Sequence, residues 1–121
     1  MMALILDSGA NIHIFNNPSF LSGIVTCIGQ YINTTGSRTL CNQMGCLASN
    51  LKSLPLPTTG FYFQPNGIAN IISLSLLSDT HCIVMDTDIE NAFYLFNRAD
   101  STFMKYSRCL KLNLYTITTS L

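Results

Sequence analysis

Short apolar runs separated by turn-forming residues recur along the whole chain, and sustained helical periodicity is scarce. Residues 3–6 open the series. Residues 12–15 predict a second short strand, closed by Asn16-Asn17-Pro18, and residues 24–32 a longer one. Thr34-Thr35-Gly36-Ser37 has the small residues and glycine that a hairpin tip needs. Extended structure resumes over 38–41 and, across Gly45, over 46–50. Residues 53–60 hold Pro55 and Pro57 and predict a loop, whereas Phe61-Tyr62-Phe63 reads as a strand ended by the Pro65-Asn66-Gly67 turn. Residues 68–72 return to extended structure, and 73–79 predict the single short helix. Runs at 82–85, 92–96, 102–106 and 109–117 supply up to four further strands. Many short strands between turn signals predict an all-β barrel or sandwich.

With 121 residues the chain is long enough for one core and not for two, so a single domain over 1–121 is expected. Six basic residues balance six acidic ones. That balance leaves no electrostatic footprint for direct nucleic-acid binding and no polybasic membrane patch. The acids at Asp79, Asp86, Asp88, Glu90 and Asp100 precede the bases at Lys105, Arg108 and Lys111, a separation that suits solvated loops and strand edges. Cys27, Cys41, Cys46, Cys82 and Cys109 form no regular disulfide framework, which fits a reducing intracellular compartment. The paired close spacing of a zinc motif is absent around Cys41, Cys46, His81 and Cys82, so no metal is expected. Asn33-Thr34-Thr35 matches a glycosylation acceptor by chance, because 1–6 is too short for a secretory core and lacks a basic flank. No apolar stretch reaches the roughly 20 residues of a membrane helix.

Candidate chemistry centres on Asp7-Ser8-Gly9-Ala10, directly after the first apolar run. An Asp at a strand end can be held at a cleft floor, a hydroxyl beside it can brace the loop, and Gly permits close approach. Such a loop is half of an aspartic peptidase site. The chemistry needs two carboxylates sharing one proton, one acting as base toward water and the other as acid. A chain with one Asp-Ser-Gly obtains the second by two-fold dimerisation. The bland alternative is an ordinary turn, with the Asp side chain bonding the backbone two residues on.

Longer blocks resemble the retropepsin-like protease region in the Pol polyprotein of copia-type retrotransposons. Leu6-Asp7-Ser8-Gly9-Ala10 is followed by His13, as is typical of that family, and the Gly36 hairpin stands in the flap position. The segment from Pro65 through Asn70-Ile71-Ile72-Ser73 is similar to the family's Pro-x-x-x-x-Asn-Leu-Leu-Ser block. Cys82-Ile83-Val84-Met85-Asp86 and Asn91-Ala92-Phe93 resemble the strand pair that follows. The resemblance implies a small closed or partly closed retropepsin-like β-barrel with at most one short helix. It implies a catalytic Asp7 supported by Ser8, Gly9 and Ala10, and a flap at Thr34, Thr35, Gly36 and Ser37. Asn70, Ile71, Ile72 and Ser73 would pack behind the loop, with Ser73 where viral enzymes have Gly.

The implied activity is self-processing of a Gag-Pol polyprotein, in the cytoplasm or a virus-like particle, by a homodimer that needs no cofactor. Its substrate is polypeptide, with neither nucleic acid nor membrane as a direct partner. An inactive structural or interaction barrel of a decayed polyprotein is the alternative. Viral retropepsins carry a strand or two before the catalytic loop, where this chain has only 1–6. Either the domain is truncated at its N-terminus or strands after Asp79 fill the gap.

Other polar residues fit structural roles. His13 lies in an alternating apolar segment, and aspartic peptidases need no His. Asp86 and Asp88 read as a solvated turn without the glycine and terminal Glu of a calcium loop. Ser8 lacks the Gly-x-Ser-x-Gly elbow of a hydrolase nucleophile. Phe61, Tyr62, Phe63, Phe93, Tyr94 and Phe96 lack the interleaved bases of a nucleic-acid platform.

Overall fold

Leu4 and Leu6 are buried while Ala3, Ile5 and Asp7 are half-exposed, the two-residue period of a strand with one face on a core. This strand, β1 (Met2–Asp7), lies inside a mixed sheet. The computed structural model describes residues 2–34, 37–54, 56–100, 102–109 and 114–119. Within them follow β2 (His13–Phe15), β3 (Leu21–Thr34), β4 (Ser37–Leu47), β5 (Phe61–Phe63) and β6 (Asn70–Ser73). A one-turn helix α1 (Leu74–Leu77) leads to β7 (His81–Val84), β8 (Ala92–Asn97), β9 (Phe103–Cys109) and β10 (Leu114–Thr119). Two 3₁₀ turns, Pro18–Phe20 and Ser49–Leu51, flank the β3/β4 hairpin.

The protein is mostly β with one short helix among the described residues, but the sheet does not close into a barrel. Its order is β3-β4-β5-β2-β6-β1-β10-β9-β8-β7, which leaves β3 and β7 as the two ends. Ten strands spaced about 4.8 Å apart would span roughly 43 Å if laid flat. Yet Phe20 and Leu47 near one end share one core cluster with Leu95, Met104 and Tyr106 near the other. The sheet therefore curls over its core without hydrogen-bonded closure. Most neighbours are antiparallel, whereas β1 with β6 and β2 with β5 are parallel.

The expectation that late strands fill the place beside β1 has a direct counterpart. Strand β10 pairs antiparallel with β1, Leu4 opposite Ile117, while β6 flanks the other side. Residues 4–6 are thus no free edge.

Three predicted boundaries need correction. Gly45 does not interrupt the fourth run, because β4 continues through it and Gly45 pairs with Phe61 of β5. A Cβ there would stand 3.2 Å from Leu21 Cβ, Ile24 Cγ1 and Ser22 O, so this glycine marks close packing, not a break. The helix is shorter than 73–79, since Ser73 completes β6 opposite Asp7 and serves as the N-cap. The run at 109–117 contributes to two strands: Cys109 and Leu114 face each other across the β9/β10 pair, with 110–113 outside the described residues.

Tyr106 is fully buried, and its hydroxyl has no hydrogen-bond partner among the described residues. Burial raises its pKa. An unpaired buried hydroxyl costs about 1–3 kcal/mol. Tyr106→Phe should therefore raise the unfolding free energy by about 1 kcal/mol, whereas Leu95→Ala, in the same core, should lower it by about 2–5 kcal/mol. Urea denaturation of both variants checks the contrast.

Candidate active site

Asp7 is the last residue of β1, where the ladder ends and the chain turns away from the sheet. Its side chain shares the half-exposed face of Ala3 and Ile5, not the core face of Leu4 and Leu6. Asp7 Oδ1 accepts the Gly9 N–H at 2.8 Å. Its other oxygen carries no hydrogen bond among the described residues. Ser8 and Gly9 are exposed and Ala10 is half-exposed, so the loop projects outward.

Behind the loop, β6 runs parallel to β1 with Leu6 opposite Ile72 and Asp7 opposite Ser73. Ile72 and Ser73 are fully buried. Ser73 makes the tightest set of contacts at the site. Its Oγ donates to Ala10 O at 2.7 Å and accepts from Leu76 N at 3.2 Å, while its N–H donates to His13 Nδ1 at 2.9 Å. One side chain therefore anchors the end of the Asp7 loop and caps α1, and its backbone ties β6 to the start of β2. A glycine in its place could provide neither hydroxyl contact.

Asn70 braces the other end of β6. Its Oδ1 accepts the N–H groups of Asn16 and Asn17 at 3.0 and 3.1 Å, while Asn16 Nδ2 donates to Gly67 O at 2.9 Å. Ile71 faces away from the core, pairing with Ile14 of β2 and Ile5 of β1. The block Asn70 to Ser73 and the loop Asp7 to Ala10 are thus brought together.

The candidate flap is only partly described. Thr35 and Gly36 lie outside the described residues; Thr34 and Ser37 are the facing ends of β3 and β4. This hairpin joins the sheet at its base, through Met44 opposite Tyr62 and Gly45 opposite Phe61. The bond from Ala48 N to Phe20 O adds a tie there. The anchor is thus β5, not the Asp7 loop.

His13 has a structural contact that its sequence position does not disclose. It is 3 % exposed, its ring lies 5.1 Å from that of Phe61, and its Nδ1 must be unprotonated to accept from Ser73. Burial lowers its pKa to about 4. The only hint in the sequence is a histidine within an apolar alternation, and no local spacing names a partner sixty residues away.

The remaining candidates stay apart from Asp7. Asp86 and Asp88 are exposed in a turn where Asp86 Oδ1 accepts from Asp88 N. Among the described residues no group of three or more His, Cys, Asp or Glu side chains could hold a metal ion. No described helix is long and apolar enough to cross a membrane. An open depression of about 510 Å³ lies between the Leu56-Pro57 loop, Asp79 to His81 and Asn97 to Ala99, away from the Asp7 loop.

Because the folded-state pKa of His13 lies below the ordinary value of 6.5, the unfolded chain binds more protons between about pH 4 and 6.5. The stability contributed by neutral His13 is complete above pH 6.5 and is lost as pH falls toward 4. This window corresponds to on the order of 3 kcal/mol. Chemical denaturation should show that slope in the wild type and a flatter one in His13→Gln. Ser73→Ala, which strands Ala10 O, should cost about 1–3 kcal/mol by the same assay.

No family model, curated protein or solved structure matches the chain.

Proposed function

We propose that the chain is a retropepsin-like aspartic endopeptidase of a copia-type retrotransposon polyprotein, active as a homodimer in which each copy contributes Asp7. The observation that carries this reading is the clamped Asp7 loop. A half-exposed carboxylate stands at the end of β1, and a buried serine on the parallel strand β6 bonds the loop behind it. A turn of no consequence would need only the Gly9 bond.

In this reading the two Asp7 carboxylates share a proton. One draws a proton from water as the water attacks the scissile carbonyl, and the other protonates the leaving amine. The pair titrates as a unit. Substrate would be an extended segment of the polyprotein, held by backbone hydrogen bonds and alternating side-chain pockets. The β3/β4 hairpin is the candidate cover, excluding water as it closes.

A second reading, an inactive structural or interaction domain, draws support from one observation. Strand β1 is flanked on both sides, by β6 and β10, so a dimer sheet cannot form on it. A second Asp7 must then arrive by another surface.

Cleavage of a mixed peptide library at mildly acidic pH, with and without pepstatin, tests the proposal. Asp7→Asn should abolish cleavage, a loss of at least about 100-fold, the scale of a missing acid–base group. Activity should fall on the alkaline side as both carboxylates ionise, and on the acid side as His13 protonates and its bond to Ser73 is lost. Folded protein that cuts nothing, or cuts equally well as Asp7→Asn, would favour the second reading.

A further inference from the structure

The centre of the sheet is apolar on both faces, and the described residues bury only one of them fully. Leu4, Leu6, Phe15, Phe61 and Ile72 fill the core side. Alternate positions on the same strands are also large and apolar, giving Leu4-Ile5-Leu6, Ile14-Phe15, Phe61-Tyr62-Phe63 and Ile71-Ile72. Consecutive apolar positions are the pattern of strands covered on both sides, whereas a strand with one solvated face alternates with polar residues. The register aligns the outer residues into one row. Met44 pairs with Tyr62, Tyr62 with Ile14, Ile14 with Ile71, and Ile71 with Ile5, across β4, β5, β2, β6 and β1. Each of these side chains is half-exposed. Asp7 stands on the same face, two residues along β1 from Ile5 at the end of the row.

We propose that this outer face is the surface on which two copies of the chain meet, stacked about a two-fold axis that passes beside Asp7 and crosses the row near Ile14. The inference rests on the peptidase reading, because the dyad is incomplete until a second Asp7 arrives, and another copy of this chain brings one. The fold restricts the route. Both edges of β1 are taken, by β6 and β10, and its core face carries the buried Leu4 and Leu6. What remains of the strand is the face on which Asp7 stands. Stacked sheets lie about 10 Å apart. Two aspartate side chains reaching into that gap from opposite sides bring their carboxylates to about the 3 Å of a shared proton. Asp7 Oδ1 is held by the Gly9 N–H, and its other oxygen carries no hydrogen bond among the described residues, so it can turn to its counterpart. The row then supplies the apolar burial that holds the copies together, which a pair of carboxylates cannot.

Sedimentation at micromolar concentration, read beside the cleavage assay, tests the contact. The wild type should sediment at twice the mass of the single chain. Ile14→Lys should sediment as a single chain with unchanged circular dichroism, because it alters the face turned away from the core. Tyr62→Ser, a milder change on a different strand, should raise the dimer dissociation constant at least about tenfold, the scale of one lost aromatic anchor. Asp7→Asn leaves the row intact and should keep the doubled mass, as should Val84→Lys on β7, which lies outside the row. A wild type of single mass would overturn the contact, as would a dimer that survives both row substitutions. The two readings fail separately. Doubled mass with the expected pattern in a protein that cuts nothing would remove the peptidase reading and leave the contact standing; Asp7-dependent cleavage by a dimer indifferent to the row would remove the contact alone.

Discussion

Ser73 sits where β1 and β6 end and α1 begins, and the surrounding architecture depends on the hydrogen bonds it makes there. At full burial, each polar atom left unpaired would cost about 1–3 kcal/mol. The Ala10 carbonyl, the first turn of α1 and the unprotonated nitrogen of His13 satisfy its groups together. The parallel alignment of β6 with β1 sets Ser73 beside Asp7, and the hydroxyl fixes where the loop after Asp7 returns. Asn70, three residues earlier, fixes the chain after β2 in the same way. β6 is therefore short and buried but polar at both ends, and those ends hold the two connections that leave its neighbours.

The local signals that survive in the structure are the ones with strong punctuation. Phe61-Tyr62-Phe63, between Gly60 and the Pro65-Asn66-Gly67 turn, forms a strand with the predicted bounds. The first run and the run from Ala92 also emerge as strands near their predicted places. Errors arise where a residue's role depends on a distant partner. Gly45 looks like a break in sequence and is in fact packed beneath Leu21 and Ile24. Ser73 looks like the start of a helix, yet its backbone is claimed by His13 from sixty residues away. Ile68 reads as part of a strand but is 97 % exposed in the bend before β6.

Of the candidate site, the Asp7 loop and the Asn70 to Ser73 block can be singled out from sequence, but their contact cannot. Nothing in either segment specifies that β1 and β6 align in parallel, with β10 on the other side of β1. That arrangement is set by the whole sheet. It also separates the candidate flap from the loop it would cover, because β4 reaches the centre through β5 and β2.

The placement of β1 has a further consequence for any chemistry at Asp7. With both of its sides occupied, the strand that carries the carboxylate is rigidly held, and the unpaired hydrogen-bonding capacity of the sheet is displaced to β3 and β7. Catalysis that requires two carboxylates then separates two tasks, holding each carboxylate and bringing the copies together. Toward the first, Gly9 N–H bonds the Asp7 carboxylate and Ser73, itself bonded to His13, ties down the end of its loop at Ala10; the second would have to be met by surface. Neutral His13 links the first task to pH, since the proton that a carboxylate dyad shares is most available in the range where His13 begins to lose its bond. In the proposed dyad, an acid-requiring site would stand over an acid-sensitive support, and that support would set the lower limit of its working range.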